Sequence, residues 1–206
     1  MPQLTLFDSG ERLLADDQRG RITYLPGFVD RATADAWFTE LRTAVEWRSE
    51  RRMMYERDVE VPRLMASYRL DTVSASTPQV ILEAATRVRT QLQEPFNSVG
   101  LNLYRDGRDS VAPHNDHLNE LLEGHSIALL SLGAIRRMTV RAKAKPPRVI
   151  HVDLEAGSLF VMDYLTQIHY THAIPKVSGV VGERISLAFR VKRRRDASEP
   201  SAGFYK

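Results

Sequence analysis

Residues 99–104 read Val99-Gly100-Leu101-Asn102-Leu103-Tyr104. Val99, Leu101 and Leu103 alternate with Gly100, Asn102 and Tyr104, the period of a strand with one apolar and one polar face. Asp106-Gly107 then supplies a turn. Downstream the same grammar repeats. Ser126–Leu132 is a short apolar run, Met138–Lys145 alternates, and Val149–Leu154 follows the break at Pro146-Pro147. Gly157–Met162, Thr171–Pro175 and Ile185–Val191 complete the series. Many short strands joined by turns predict a β-sandwich or barrel.

Upstream of Phe96 the periodicity is helical. Asp30 is placed to cap a helix over residues 31–45, with Trp37, Leu41 and Val45 on one face. Thr77-Pro78 reads as a helix start, after which Val80, Ala84, Val88 and Leu92 recur every four residues to about Gln93. Between the helices, residues 46–73 are arginine-rich, contain Pro62, and read as short strands and loops. Residues 1–20 are polar and irregular. Helices first and strands later predict one α+β domain, with the helices buttressing a sheet. The expected organisation is a flexible tail at 1–20, a single domain over 21–191, and a basic tail at 192–206.

Composition bounds the chemistry. The chain has 206 residues, enough for one real core, with 43% hydrophobic and 27% charged residues. There is no apolar run of about 18 residues and no signal-peptide pattern at Met1-Pro2-Gln3-Leu4-Thr5, and cysteine is absent. These features exclude a disulfide scaffold and a thiolate metal site, and they point to the cytoplasm. Any metal must be held by His, Asp or Glu.

His114-Asn115-Asp116 follows the turn at Gly107. Residues two apart on an extended segment share a face, so His114 and Asp116 can reach one ion. His172, in Tyr170-Thr171-His172-Ala173-Ile174-Pro175, is the best third ligand. Two histidines and a carboxylate form the facial triad of non-haem iron oxygenases, with three positions open for a co-substrate and dioxygen. His117, His125, His151 and His169 compete, and spacing alone does not separate His169 from His172.

In Arg184-Ile185-Ser186-Leu187-Ala188-Phe189-Arg190, residues 184, 186, 188 and 190 share one strand face and Ile185, Leu187 and Phe189 the other. Inward-facing arginines need an anionic partner, because an unpaired buried charge is costly. A dicarboxylate such as 2-oxoglutarate would meet that need through bidentate ion pairs. Solvated arginines on an edge strand are the competing reading. Asn102 and Tyr104 add polar groups on their own strand face.

Together these segments resemble the AlkB family of nucleic-acid demethylases. The resemblance runs through Asn102-x-Tyr104-x-x-Gly107, His114-x-Asp116, Ser131-Leu132-Gly133-Ala134 and Gly157-Ser158-Leu159. It continues in His172-x-x-Pro175 and Arg184-x-Ser186-x-Ala188-Phe189-Arg190. It covers roughly residues 95–191, with weaker matches at Val61-Pro62-Arg63 and Tyr24-Leu25-Pro26-Gly27-Phe28. It implies a double-stranded β-helix (jelly roll) over 96–191 and a nucleotide-recognition lid within 21–95. It implies that His114, Asp116 and His172 hold Fe(II) and that His169 is only a neighbour. It further implies that Asn102, Tyr104, Arg184 and Arg190 bind 2-oxoglutarate, with the arginines at opposite carboxylates. The implied reaction consumes O2, converts 2-oxoglutarate to succinate and CO2, and removes an N-methyl group as formaldehyde from bases such as 1-methyladenine or 3-methylcytosine in DNA or RNA.

Three departures bear on specificity. Ser186 and Ala188 stand where the family usually carries Asn and Thr. Leu118 stands where a charged residue often helps to read the base. The lid after Arg63 and Tyr68 is short, leaving Tyr55, Tyr68 or the His114 ring to stack on a base. A short lid suits single-stranded or exposed bases.

Basic clusters support a nucleic-acid partner. Arg136, Arg137, Arg141, Lys143, Lys145 and Arg148 occur with no acidic residue between them, and Arg48, Arg51, Arg52, Arg57 and Arg63 surround Met53, Met54 and Tyr55. Lys192-Arg193-Arg194-Arg195 forms a third cluster. At the N-terminus, Gln3, Leu4, Leu6 and Phe7 resemble the short motif by which bacterial repair proteins dock on a sliding clamp. The alternatives are a 2-oxoglutarate dioxygenase acting on a protein or small molecule, and a non-catalytic nucleic-acid-binding jelly roll.

Overall fold

The computed structural model describes residues 10–54 and 57–193. Two strands, β1 (Arg12–Asp17) and β2 (Gly20–Leu25), precede the helix α1 (Arg31–Ala44). A hairpin of β3 (Arg48–Met54) and β4 (Arg57–Arg69) leads to α2 (Gln79–Leu92). Next come β5 (Ser98–Tyr104), β6 (Val111–His114), β7 (Ile127–Gly133), β8 (Arg136–Ala142), β9 (Val149–Leu154) and β10 (Leu159–Met162). A short helix α3 (Tyr164–His169), β11 (Tyr170–Ile174) and β12 (Arg184–Arg190) complete the order.

The strands form two sheets with antiparallel pairing throughout. One runs β1-β2-β10-β7-β12-β5-β4-β3, and the other β6-β11-β8-β9. Parity along β5 and β12 separates two cores, as the alternation predicts. Leu101, Leu103, Ile185, Leu187 and Phe189 join Trp37 and Leu41 of α1 and Ile81 and Val88 of α2 in one cluster on the outer face of the larger sheet. Tyr104 and Ala188 face inward, against Val140, Leu154 and Ile174 of the smaller sheet. Each large side chain fully buried here contributes about 1.5–3 kcal/mol.

Asp30 caps α1 as its sequence predicts: its carboxylate accepts from the Thr33 backbone N–H at 2.8 Å. Thr77 does not cap α2. Pro78 holds the cap position in extended backbone without a side-chain bond, and the helix ends at Gln93, whose φ of 54° lies in the left-handed region. Residues 12–17, expected within an irregular tail, form β1. Only Ala15 of that strand is buried, so this edge strand carries no alternating apolar signal. β4 spans 13 residues through Pro62, longer than the short strands expected. Gly133, in the Ser131-Leu132-Gly133-Ala134 stretch, has a φ of 82°, and a Cβ there would meet the Glu183 carbonyl oxygen at 2.5 Å. Only glycine fits that turn.

Candidate metal centre and adjoining pocket

Strand register gathers the three candidate ligands. β6 and β11 pair antiparallel with His114 opposite His172, and Asp116 follows two residues beyond the end of β6. The two imidazoles lie 4.3 Å apart, tilted by 55°. One ligand atom from each of His114, Asp116 and His172 lies within 4.8 Å of the other two. His117, His125, His151 and His169 take no part in that group. His151 contacts Thr139 and His125 lies beside Glu94.

The surroundings set the protonation states. His114 places Nδ1 2.9 Å from the Ala112 carbonyl. Donation from Nδ1–H to that oxygen leaves Nε2 with a free lone pair. Burial, with His114 alongside, pushes His172 down to about 3. Burial likewise lowers His114. For Asp116, burial pushes the other way, but Arg190 and the two histidines outweigh it and hold the carboxyl well below the usual range. At neutral pH the cluster is therefore two neutral imidazoles and a carboxylate, the forms that bind a metal.

Asp116 is held on two sides. Arg190 donates from Nε to Oδ2 at 2.6 Å and from Nη2 to Oδ1 at 3.2 Å. The Asp116 backbone N–H donates to Oε1 of Gln167 at 2.9 Å. Gln167 lies in α3 and is itself fixed by its Nε2 donating to Thr166 Oγ1 at 3.1 Å.

A second group lies along β12, β5 and β7, where Arg184 pairs with Tyr104 on one side and Gly133 on the other. Arg184 is 1% exposed, and its Nη2 donates to Ser131 Oγ at 2.8 Å. Its Nε and Nη1 have no hydrogen-bond partner. Its guanidinium carbon lies 5.1 Å from the centre of the Tyr104 ring. Asn102 accepts at Oδ1 from Arg63 Nε at 2.8 Å. Ser186 sits in register between Asn102 and Ser131 and is buried.

Among the described residues, the candidate substrate residues lie along β4 and in the turn after Asp116. Arg63 is buried and holds Asn102 and the Ser110 carbonyl. Tyr68 pairs with Val99 and packs against the helix-side core, so its strand position is on the face opposite Asn102. β4 shares the pleat of β5, so Met65 and Ser67 occupy the face of Asn102 and Gly100, while Tyr68 lines the adjoining cleft from the neighbouring position. Leu118 is half-buried in the turn after Asp116. Tyr55 and Gln3, Leu4, Leu6 and Phe7 lie outside the described residues. A cleft of about 710 Å³ lies beside the site, lined among others by Ser49, Met65, Ser67, Gly100, Asn102 and Arg190.

Within the basic stretch 136–148, Arg141, Lys143 and Lys145 are exposed as its composition predicts, but not every charge is open. Arg136 is buried, Arg137 pairs with Asp153 at 2.7 Å, and Arg148 pairs with Asp17 at 2.9 Å. Sequence reasoning overlooked Gln167 and the burial of Arg136. Nothing in the linear pattern marks Gln167. Arg136 had a signal: it shares strand parity with Met138 and Val140, which are buried.

The family profile described as the 2OG-Fe(II) oxygenase superfamily matches residues 21–190. The chain is 32% identical over 187 residues to the bovine (Bos taurus) alpha-ketoglutarate-dependent dioxygenase alkB homolog 3, covering 82% of this chain and 65% of that protein. It is 32% identical over 180 residues to the human (Homo sapiens) DNA oxidative demethylase ALKBH2, covering 78% of this chain and 69% of that protein. The chain thus spans just under two thirds of the bovine relative. Among solved structures, the non-heme alpha ketoglutarate dependent epimerase SnoN from nogalamycin biosynthesis shares the fold, with a TM-score of 0.59 at 14% identity, over 84% of this chain and 80% of that one. The jelly-roll architecture implied by the family resemblance agrees with this likeness. By profile, sequence and fold, the chain belongs to the 2OG-Fe(II) oxygenase superfamily and, within it, to the AlkB family.

Proposed function

We propose that the protein is an Fe(II)- and 2-oxoglutarate-dependent dioxygenase that oxidatively demethylates N-alkylated bases in DNA or RNA. The observation that carries this reading is the convergence of His114, Asp116 and His172 within 4.8 Å, in metal-binding protonation states. The residues also fit the co-substrate. Arg184 is buried with two donors unpartnered and makes no ion pair among the described residues, so a carboxylate of 2-oxoglutarate answers both deficits.

In this reading His114, Asp116 and His172 hold iron, and Arg184, Tyr104 and Asn102 hold 2-oxoglutarate, with Arg190 at the metal end. When bound, iron, 2-oxoglutarate and O2 supply the oxidising chemistry: 2-oxoglutarate becomes succinate and CO2, and the N-methyl carbon leaves as formaldehyde. The chain's own residues do the positioning. Arg190 and Gln167 fix the Asp116 carboxylate and its backbone, so the ligand is oriented before metal arrives. Ser131 orients Arg184, and Arg63 orients Asn102. The cleft beside Asn102 and Arg190 is of a size that takes a small ligand or a single extruded base, about 300–1,000 Å³ being usual for such sites. The short lid supports single-stranded or exposed bases as substrates, with Leu118 beside the ligand turn as a residue reading the base.

The same reading assigns residues 21–191 to the catalytic domain and the protein to the cytoplasm. Among the described residues no helix is long and apolar enough to cross a membrane. It also assigns Gln3, Leu4, Leu6 and Phe7 to a sliding clamp; unchanged clamp binding after deletion of residues 1–8 would end that assignment.

The test is incubation of iron-loaded protein with 2-oxoglutarate, air and oligonucleotides carrying 1-methyladenine or 3-methylcytosine, read by mass spectrometry of the bases. Loss of methyl groups, faster on single strands than on duplex, is expected. Turnover of 2-oxoglutarate that ignores every methylated oligonucleotide would move the substrate to a protein or small molecule.

A further inference from the structure

Arg136 is the buried charge that the proposed function leaves unexplained. It opens β8 on the inward face and is 1% exposed. Its Nη1 donates to the Asp106 carbonyl at 3.0 Å, and its Nη2 to the carbonyls of Asp109 and Pro175, each at 2.8 Å. Its Nε has no partner. Among the described residues it makes no ion pair, because the Asp106 carboxylate engages Arg108 and the Asp109 carboxylate engages Arg105. Its guanidinium carbon lies 5.5 Å from the centre of the Tyr104 ring, and that of Arg184 lies 5.1 Å from the same centre. Two buried guanidinium groups therefore share one aromatic ring, and among the described residues neither makes an ion pair, Asp109 and Asp106 acting on Arg136 only from beyond ion-pair distance.

Three carbonyls accept from Nη1 and Nη2 of Arg136 but do not cancel its charge. A buried cation without a counter-ion is costly, and a second one nearby adds repulsion. Burial works against the charge of both arginines, and Arg136 further disfavours that of Arg184. The ring quadrupole of Tyr104 offsets only part of this, roughly 0.5–2 kcal/mol per cation. An anion docking at Arg184 would relieve both. Arg190 lies at the metal end, on Asp116, so the Arg184 end is the distal one.

We propose that Arg136 is a positioning residue for the distal carboxylate of the co-substrate. It makes the far end of the pocket doubly cationic, steadies the Tyr104 ring, and so sets the preference for a diacid over a monoacid. This rests on the reading of the pocket as a 2-oxoglutarate site. A residue that merely tied loops 106–109 and 175 to β8 would lower stability and weaken all ligands alike.

The test is calorimetric binding of 2-oxoglutarate and of 2-oxobutyrate, which has the same keto-acid end and no distal carboxylate, to Mn(II)-loaded full-length protein. The variants are Arg136→Gln, which keeps donors for the carbonyls without the charge, and Arg136→Lys, which keeps the charge. Arg136→Gln is expected to weaken 2-oxoglutarate about tenfold, the scale of a lost charged interaction, and to leave 2-oxobutyrate within about twofold. Arg136→Lys is expected to keep 2-oxoglutarate within about threefold of wild type, and Arg136→Met, which also removes the charge, decides the matter should Arg136→Gln not fold. Equal losses for both ligands, or undiminished 2-oxoglutarate binding in a folded variant that lacks the charge, overturn the proposal. Wild-type protein that binds Mn(II) but not 2-oxoglutarate would overturn the co-substrate reading itself.

Discussion

Replacing Gln167 by leucine isolates the backbone support of the metal carboxylate. Gln167 is 1% exposed, and its Oε1 is the acceptor for the Asp116 N–H at 2.9 Å. Leucine nearly keeps the volume, so little cavity forms, but the Asp116 N–H is left buried without that acceptor. A buried donor stranded in this way costs about 1–3 kcal/mol. For a chain of this length, about 2 kcal/mol corresponds to a Tm lowered by roughly 4–8 °C. The effect on metal is distinct. Loss of a group that orients a ligand typically weakens metal binding about 10–100-fold. Thermal melts of the metal-free variant and calorimetric Mn(II) titration measure the two separately. A lowered Tm with unchanged Mn(II) affinity would refute the reasoning, because Gln167 would then support the fold and not the ligand.

Further expectations concern other levels of the structure. Gly133→Ala places a Cβ 2.5 Å from the Glu183 carbonyl oxygen at a φ of 82°, and should destabilise by at least about 1–2 kcal/mol in urea unfolding; no change would mean the turn relaxes freely. Asp30→Ala removes the cap of α1 and should cost about 1 kcal/mol in the same assay, with Asp30→Asn recovering most of it. In the metal-free protein, His172 has its pKa lowered to about 3 in the folded state, below the unfolded value near 6.5. The unfolded state therefore binds the extra proton, and the stability due to a neutral His172 is intact above about pH 6.5 and lost as pH falls towards 3. The slope approaches about 1.4 kcal/mol per pH unit within that window. A His172→Phe variant should lack this slope, and an identical acid profile in both proteins would contradict the assignment.

Much of the site was legible because strand parity is a local property. The alternation in Arg184–Arg190 places Arg184 inward and Ile185, Leu187 and Phe189 on the helix side, and both faces appear as the pattern predicts. His114-x-Asp116 was likewise readable, since two residues on an extended segment share a face. The choice of His172 over His169 was not readable from spacing. It depends on the register that sets His172 opposite His114 and leaves His169 at the end of α3. Tyr68 shows the converse. Its parity relative to Asn102 is fixed only once β4 is paired to β5, which sets Tyr68 opposite Val99 while leaving it at the edge of the cleft. Arg136 and Arg137 are neighbours in a run of charges, yet one is buried and the other pairs with Asp153 on the surface. Composition averages over that distinction, and the pleat decides it.

The central claim is that His114, Asp116 and His172 couple 2-oxoglutarate turnover to removal of a methyl group from a base. The most direct measurement is the ratio of formaldehyde to succinate produced from a single-stranded oligonucleotide carrying 1-methyladenine, in wild-type protein and in Asp116→Ala. Equal amounts of the two products from the wild type, and neither from the variant, are predicted. Succinate without formaldehyde, or formaldehyde that persists in Asp116→Ala, would contradict it.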